Sequence, residues 1–298
     1  MIKRTLFFGN PCYLKKNNEQ LVIEYKDDEN KTVPIEDIGV VVIDNPQITI
    51  TTSLIMALIE NNAVLITTNK QHLPEALLLP MAEHHAFTEK ARFQLEASEP
   101  LRKNLWQQTI VSKIKNQAKL LESLGIVAEN MNYWANKVKS GDPDNYEARA
   151  ASFYWQNIFT ENQNFKRGRY GDAPNNLLNY GYAILRAVIA RSLVASGLMS
   201  FRGIHHKNKY NPYCLADDIM EPYRPYVDSI VLDICKENNE IDELNTELKR
   251  KLLVIPAMDV FIDGQKSPLM NASQRTTASL MQCFEGTTRK IIYPEFTS

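Results

Sequence analysis

The sequence predicts an α+β protein in which a small β-rich N-terminal domain precedes a larger helical one. Two observations lead to this class. Up to about residue 70, apolar residues come in short runs rich in Val, Ile, Phe and Tyr, separated by polar turns, which is typical of strands. From about residue 84, apolar residues recur at intervals of three and four, which is typical of amphipathic helices.

The N-terminal domain is predicted to span residues 1–75. Its strands are expected at 4–8, 21–25, 32–35, 39–43 and 63–67. Polar residues 15–19 are expected to form a turn. A helix is expected at 52–61, because Leu54, Ala57 and Leu58 follow the i, i+3, i+4 spacing. Residues 76–84 are assigned to a linker between the domains.

The second domain is predicted to span residues 85–298 and to be built from helices. One helix should begin near Asp142, which is suited to cap it, with Pro143 at the first helical position. Residues 287–298 have no clear period and are expected to form a loose tail. The helices are expected at 86–96, 100–123, 127–140, 142–159, 174–197, 228–237, 241–254 and 273–286.

Composition narrows the functional classes. The chain has 298 residues and a formal net charge of -1, which excludes a uniformly basic surface, so any nucleic-acid contact must use a local patch. Its four cysteines are scattered without a Cys-x-x-Cys pair, which is typical of reduced intracellular thiols. No signal peptide and no membrane-spanning run is recognised. A cytoplasmic protein that does not enter a membrane is therefore expected.

The most informative stretch is residues 203–225. It contains two adjacent histidines and three carboxylates, which together suit a divalent metal ion. Three cations in the same stretch suit a phosphate. Metal ligands beside phosphate ligands predict a nuclease or phosphoryl-transfer site. These residues are His205, His206, Asp217, Asp218, Glu221, Lys207, Lys209 and Arg224.

Glu147 is a further candidate, because it shares a helix face with Ala151, Tyr154 and Ile158. A carboxylate on an apolar face is costly unless it is paired, hydrogen-bonded or metal-bound. The spacing of Asp144 and Glu147 is also that of a capping box, and acids favour the first turn of a helix. Both interpretations remain open on the residues alone.

Alternatives also remain for the other candidates. Adjacent side chains usually diverge, so at most one of His205 and His206 would serve a given site. Asp218 and Glu221 share a helix face and could reach one ion, or could be ordinary acids of a first turn. In the loop 161–171, three cations alternate with Phe165 and Tyr170, which suits phosphates and stacked bases but also an ordinary solvated loop.

Three ordered blocks make the chain recognisable. They are EARAASFYW at 147–155, NLLNYGYAIL at 176–185, and GIHH at 203–206 followed by LADDIMEPYRP at 215–225. In their order and spacing the chain resembles the CRISPR adaptation integrase family, and most closely its short members from type II systems. The resemblance covers nearly the whole chain. It implies an N-terminal β-sandwich-like domain followed by an all-helical catalytic domain.

The resemblance also implies a metal site. The family's glutamate, histidine and acid ligands fall on Glu147, His206 and Glu221. Asp218 matches a further acid near the site that orients a ligand or a water molecule. The ion expected is Mg²⁺ or Mn²⁺, and two carboxylates with one imidazole favour Mn²⁺.

The activity implied is that of a DNA endonuclease and integrase. The 3′-hydroxyl of a pre-spacer would attack a phosphodiester at the boundary of a CRISPR repeat. The partners implied are double-stranded DNA, a second copy of the chain in a homodimer, and a small ferredoxin-like adaptation subunit. The side chains expected to bind DNA phosphates are Arg149, Lys166, Arg167, Arg169, Arg202, Lys207 and Arg224.

Two rival hypotheses are kept. The chain could be a non-catalytic scaffold that holds DNA, with acids that only cap helices, and it would then bind DNA without depending on a metal. It could also be a metallo-phosphohydrolase of nucleotides, which would turn over small phosphodiesters without a long duplex.

Overall fold

The computed structural model describes residues 3–26, 29–80, 86–159, 165–168, 171–238 and 241–297. The chain divides into two compact units, Met1–Glu83 and His84–Ser298. Strands dominate the first unit and helices the second, which confirms the predicted α+β class.

In its described part, the N-terminal unit contains two four-stranded sheets. In the sheet ordered β1-β5-β7-β8, the first three strands are parallel and β8 is antiparallel to β7. In the sheet ordered β4-β3-β2-β6, β4, β3 and β2 are antiparallel and β6 is parallel to β2. The strands are β1 Arg4–Phe8, β2 Tyr13–Asn17, β3 Gln20–Glu24, β4 Lys31–Pro34, β5 Ile38–Ile43, β6 Thr49–Ile50, β7 Val64–Thr68 and β8 Pro74–Leu78.

The core of this unit is formed by buried side chains of the strands together with those of the helix α1, Thr52–Glu60. Leu14, Leu21, Ile38 and Leu54 are fully buried in it. Thr51 caps α1, because its side-chain oxygen accepts from the Leu54 N–H at 3.4 Å. The burial of five successive residues in β5 is typical of a central parallel strand.

Two details of the predicted N-terminal domain are wrong. Residues 15–17 belong to the strand β2 rather than to a turn, because buried Leu14 anchors the strand and the lysines that follow extend along its more exposed positions. The turn lies instead at Asn18 and Glu19, both with positive φ. The strand β8 reaches Leu78, so residues 76–78 of the predicted linker are part of a sheet. Residues 81–84 of that linker lie outside the described part of the chain.

The C-terminal unit is built mainly from helices, among which α3 and α6 are the longest of those described. α3 begins at a Ser98 cap, whose Oγ accepts from the Leu101 N–H at 3.3 Å. The helices are α2 Phe87–Glu96, α3 Glu99–Ser123, α4 Glu129–Lys137, α5 Tyr146–Ile158, α6 Asn175–Ala195, α7 Cys214–Ile219, α8 Arg224–Glu237, α9 Thr246–Leu252 and α10 Leu269–Glu285.

The helix α6 forms much of the interior of this unit. Gly181 permits close packing against α8, because a Cβ at this position would lie 2.6 Å from Val227 Cγ1. Among the described helices, α6 is the one long and apolar enough to cross a membrane, but 78% of its apolar window is buried inside the protein. Such burial is typical of a core helix.

The expectation of an all-helical second domain is wrong at one place. Strands β9, Asp259–Ile262, and β10, Gln265–Pro268, form an antiparallel hairpin. Asp263 and Gly264 form its turn, both with positive φ, which is the backbone that a two-residue hairpin turn requires. The Asp-Gly dipeptide after an apolar run was a usable sequence signal.

The C-terminal segment is not a loose tail over its described part. Ile291 and Tyr293 are only 3% and 9% exposed. The Tyr293 hydroxyl lies 2.8 Å from Thr109 Oγ1 on α3. The Asn116 side chain, also on α3, donates to Pro294 O at 3.0 Å and accepts from the Phe296 N–H at 3.0 Å. Irregular backbone without a periodic pattern is therefore fixed here by hydrogen bonds to a helix.

Candidate functional site

Glu147 lies in the first turn of α5. Asp142 caps this turn, because its two carboxylate oxygens accept from the backbone N–H groups of Tyr146 at 3.0 Å and Glu147 at 2.9 Å. The Glu147 side chain crosses to α3, where its Oε1 lies 2.7 Å from Lys113 Nζ. Asp142 therefore supplies the cap, and the carboxylate of Glu147 is directed to a buried cation.

Glu221 reaches the same cation from another element. It begins a short 3₁₀ turn, Glu221–Tyr223, which connects α7 to α8. Its Oε2 lies 2.7 Å from Lys113 Nζ, and its Oε1 lies 3.0 Å from Arg224 Nη2. Burial alone would raise the pKa of Glu221, but Arg224 and Lys113 outweigh burial and hold that pKa below its usual value.

Lys113 is therefore the meeting point of two acids that are distant in sequence. The residue is 8% exposed and lies on the buried face of α3. Burial alone would lower the pKa of its ammonium, but the carboxylates of Glu221 and Glu147 outweigh burial and raise that pKa. The site thus holds two carboxylates together around a positive charge.

Asp218 organises the histidine loop. Its carboxylate is fully buried and accepts from the backbone N–H groups of Ile204 at 2.7 Å, His205 at 3.0 Å and His206 at 3.2 Å. Its Oδ1 also lies 2.5 Å from His206 Nδ1. This hydrogen bond raises the pKa of His206, and the nearby Glu221 adds to the effect.

The two histidine rings have different surroundings. His205 stacks on Trp106 of α3, with ring centroids 4.0 Å apart and an interplanar angle of 4°. His206 meets the same indole edge-on, at 5.8 Å. Burial lowers the pKa of His205. Of the two rings, His206 is the one whose Nδ1 is bonded to a carboxylate, which leaves Nε2 as the nitrogen available to a ligand.

The predicted acid and imidazole residues suit a divalent ion in their chemistry. Two carboxylates and one imidazole with a carboxylate behind it form a donor set typical of Mg²⁺ and Mn²⁺ sites. In the described residues, however, no group of three or more His, Cys, Asp or Glu side chains is arranged to hold a metal ion directly. Here Glu147 and Glu221 converge on Lys113 instead.

The predicted DNA-binding cations differ in their environments. Arg149, Lys166 and Lys207 are exposed. Arg224 is bound to Glu221, while its guanidinium lies 4.6 Å from the centroid of the Tyr182 ring. Arg202 is partly buried, and Arg169 lies outside the described residues.

Arg167 is held by the protein itself. Its guanidinium donates to Gly168 O at 2.8 Å and to the side-chain oxygens of Asn175 at 2.9 Å and Asn179 at 2.8 Å. It also lies over the Tyr182 ring, 5.2 Å from the centroid. These contacts tie Arg167 to the start of α6, which gives Arg167 a structural role that the sequence did not indicate.

The chain matches known proteins along most of its length. A sequence model of the family described as "CRISPR associated protein Cas1" matches residues 6–255. A protein named "CRISPR-associated endonuclease Cas1" from Neisseria meningitidis serogroup C (strain 8013) is 37% identical over 281 residues, which are 94% of this chain and 91% of that protein. The chain belongs to the Cas1 family. The predicted family is thereby confirmed, and with it the prediction of an enzyme, a nuclease or integrase of CRISPR adaptation.

Other Cas1 proteins and related structures agree. A second Cas1 endonuclease, from Saccharolobus solfataricus (strain ATCC 35092 / DSM 1617 / JCM 11322 / P2), is 30% identical over 76% of this chain and 72% of its own length. The structure titled "Casposase bound to integration product" superposes with a TM-score of 0.81 at 19% identity, covering 100% of this chain and 95% of its own. A CAS1 protein from Thermotoga maritima superposes with a TM-score of 0.77 at 14% identity, covering 95% of this chain and 97% of its own. These two structures show the fold.

Sequence reasoning missed two buried ionisable residues of this unit. Lys113 was missed, although its place seven residues after Trp106 puts both on one helix face. The second is Asp228, which is fully buried and accepts from the hydroxyls of Tyr154 at 2.7 Å and Tyr182 at 2.5 Å. Burial raises the pKa of Asp228 to about 6, although both tyrosines and two arginines oppose the shift.

A groove in this unit lies away from these residues. Its volume is about 1150 Å³, and it runs between the C-terminal segment and the face of α3 opposite to Lys113. Lys115, Arg289, Lys290 and Phe296 are among its lining residues. Glu147, His206 and Glu221 do not line this groove.

Proposed function

We propose that this Cas1 family member is a metal-dependent DNA endonuclease and integrase, which inserts pre-spacer DNA into a CRISPR array. The observation that supports this most directly is the convergence of Glu147 and Glu221, from separate elements, on one cation position 2.7 Å from an oxygen of each. A metal-dependent nuclease needs carboxylates that converge on one cation, and Glu147 and Glu221 converge in this way.

In this proposal Glu147, His206 and Glu221 hold Mg²⁺ or Mn²⁺. When bound, the ion would lower the pKa of the attacking hydroxyl and stabilise negative charge on the scissile phosphate and on the leaving oxygen. Asp218 fixes the ring of His206 through Nδ1, which would leave Nε2 to bind the ion. Arg224 holds the second oxygen of Glu221, so that this carboxylate is oriented by charges on both sides.

The reaction proposed is a transesterification. The 3′-hydroxyl oxygen of a pre-spacer strand bonds to phosphorus at the repeat boundary, and the bond from phosphorus to the 3′-oxygen of the repeat strand breaks. The hydroxyl proton passes to solvent, and the released 3′-oxygen takes up a proton. Water in place of the attacking hydroxyl gives hydrolysis, so one site supports both activities. Positioning and electrostatics carry the rate, because the protein forms no covalent bond.

The partners and the finer domain arrangement are part of the same proposal. The N-terminal unit serves as a β-sandwich-like domain, and the C-terminal unit is the catalytic domain. The exposed cations Arg149, Lys166 and Lys207 bind DNA phosphates. A homodimer works with a small ferredoxin-like subunit in the cytoplasm, where its DNA substrates lie. The neighbour titled "Cas6-RT-Cas1--Cas2 complex", with a TM-score of 0.74, is consistent with a protein partner.

The test is strand transfer of a labelled 3′-hydroxyl DNA duplex into a supercoiled plasmid that carries the repeat, with the partner subunit and with Mn²⁺, Mg²⁺ or EDTA. Glu147→Ala, His206→Ala and Glu221→Ala should each lose the metal-dependent product while retaining DNA binding. Asp144→Ala, which removes an exposed acid three residues before Glu147, is the matched control and should remain active. Tight DNA binding without any product from the wild type would instead favour the non-catalytic scaffold.

A further inference from the structure

We propose that Lys113 is an internal counter-ion that competes with the divalent metal for Glu147 and Glu221. The ammonium occupies the point between the two carboxylates, and it must withdraw when the ion binds. This inference rests on the proposed function, because it assumes that these two acids are metal ligands. It assigns to Lys113 the role of a positioning residue that regulates loading of the site.

The distances indicate direct competition. Lys113 Nζ lies 2.7 Å from Glu147 Oε1 and 2.7 Å from Glu221 Oε2. A Mg²⁺ ion binds carboxylate oxygens at about 2.1 Å and requires near-ideal octahedral geometry. An ion that takes one oxygen from each of these two acids therefore takes the point where Nζ now lies. Two cations at that separation would repel each other strongly in a site with little water.

The local charges lead to the same conclusion. Glu147 and Glu221 carry two negative charges, and Lys113 and Arg224 carry two positive ones, so these four residues are balanced. A divalent ion would add two positive charges that nothing else among the four offsets. Lys113 is 8% exposed, so solvent cannot screen its ammonium effectively where it stands. Loading therefore favours movement of the ammonium away from the acids.

The structure provides a direction for this movement. The side chain of Glu147 is 29% exposed, whereas that of Glu221 is 7% exposed, so the ion-pair cluster reaches solvent on the Glu147 side. The flexible four-carbon stem of lysine permits such a change without moving α3. A phosphate of bound DNA would offset the charge added by the ion, so DNA and metal should promote each other's binding.

The test is Mn²⁺ binding to the full chain without DNA, followed by electron paramagnetic resonance, together with thermal unfolding in EDTA and in Mn²⁺. Lys113→Met should lower the melting temperature in EDTA, because two facing carboxylates lose their counter-ion. It should also bind Mn²⁺ about tenfold more tightly, because no buried ion pair has to be broken, and Mn²⁺ should stabilise it more than the wild type. Lys113→Arg keeps the charge and should bind Mn²⁺ as weakly as the wild type.

Lys119→Met is the matched control, because Lys119 is on the same helix but is exposed and pairs with Glu122 at 2.8 Å. Its Mn²⁺ affinity should equal that of the wild type. Lys113→Gln is a second neutral variant that can still donate hydrogen bonds, and it serves if Lys113→Met does not fold. Equal or weaker Mn²⁺ binding by the neutral variants would overturn the inference and make Lys113 a structural tie.

Failure of the proposed function gives a different result. In that case the wild type and Glu147→Ala/Glu221→Ala would show the same Mn²⁺ binding, because no metal site would depend on these acids. Site-dependent Mn²⁺ binding by the wild type, with no gain in Lys113→Met or Lys113→Gln, would retain the metal site and reject only the role of Lys113.

Discussion

His206 is bound twice by Asp218: its ring Nδ1 lies 2.5 Å from Asp218 Oδ1, and its backbone N–H donates to the same oxygen at 3.2 Å. The second oxygen of Asp218 accepts from the backbone of Ile204 and His205. One buried carboxylate thus sets both the path of the loop and the orientation of the ring that the loop presents. In the proposed site, Asp218 is therefore a positioning residue.

Asp218→Asn should weaken Mn²⁺ binding and strand transfer by about 10- to 100-fold, the range typical of partners behind a metal-bound histidine. An amide cannot reproduce two oxygens that accept from three N–H groups and a ring nitrogen. Binding should be measured below the melting temperature of the variant. Asp217→Asn is the control, because Asp217 bonds Arg186 and Asn211 instead of the histidine loop. Equal losses in both variants would contradict a specific role for Asp218.

Gly203→Ala should disrupt the same loop. A Cβ at Gly203 would lie 2.5 Å from His206 O, a backbone atom, and 2.7 Å from Asp218 Oδ2, which the N–H groups of Ile204 and His205 hold in place. The variant should melt at a lower temperature and lose Mn²⁺ affinity together. Gly168→Ala is the control, because the nearest atom to its added Cβ is 3.8 Å away. An unchanged melting temperature in Gly203→Ala would show that the loop tolerates the displacement.

The site was only partly predictable from the sequence, for reasons that particular residues show. Glu147 could be identified because a carboxylate interrupts an apolar helix face. Lys113 could not be assigned a role, because a lysine in a long helix is ordinarily solvated. Its contacts appear only when α3, α5 and the turn at Glu221 come together in the fold. Arg167 illustrates the converse case: its basic loop predicts DNA binding, which stays a prediction, and its partners within the chain could not be read from the sequence.

The fold shows the same division between local and non-local signals. Long periodic helices such as α3 and α6 were predicted within a few residues, because one face of each is apolar. The turn predicted at residues 15–19 overlaps the end of β2, because the apolar residues of this strand, Tyr13 and Leu14, are followed by Lys-Lys-Asn, which has no strand pattern. The segment after α10 has no period to detect, and its order depends on Thr109 and Asn116, more than 170 residues earlier.

Arg167 and Lys207 should respond differently to substitution. Arg167→Ala should lower the melting temperature, because it removes three hydrogen bonds and leaves the Asn175 and Asn179 side-chain oxygens without this donor. Lys207→Ala should leave stability unchanged and flatten the salt dependence of DNA binding by about one phosphate contact. Thermal unfolding and DNA affinity across a salt series separate the two effects. A stable Arg167→Ala variant with a flattened salt dependence would return Arg167 to the DNA-binding set.

Asp228 should make stability depend on pH. Burial raises its pKa from 3.8 to about 6, so the folded protein holds a proton that the unfolded chain has released between these values. The contribution of Asp228 to the free energy of unfolding is about 3 kcal/mol. It is fully present below about pH 4 and is lost as the pH rises through about 6. The measurement is urea unfolding in EDTA from pH 4 to 8. At each pH, the free energy of unfolding of Asp228→Asn is subtracted from that of the wild type.

The control is Asp233→Asn, which replaces an exposed acid on the same helix α8. The difference in free energy of unfolding between this variant and the wild type should not show this dependence on pH. A wild-type advantage over Asp228→Asn that stays constant across the range would mean that Asp228 titrates alike in both states. Tyr154→Phe and Tyr182→Phe should each shift the profile to higher pH, because each hydroxyl stabilises the ionised carboxylate.

The C-terminal segment should contribute measurably to the stability of the helical unit. The hydroxyl of Thr109 donates to Leu105 O at 3.0 Å, so the Tyr293 hydroxyl is the donor in its 2.8 Å contact with Thr109. Tyr293→Phe should therefore cost about 1 kcal/mol. Truncation after Gly286 should cost more, because it removes buried Ile291 and Tyr293 and leaves the Asn116 side chain without its partners at 294 and 296. Removal of residues 297–298 alone is the control, and thermal unfolding is the measurement. If the truncated chain has the same melting temperature as the wild type, α3 does not need this segment for its stability. The segment would then line the groove without supporting the fold.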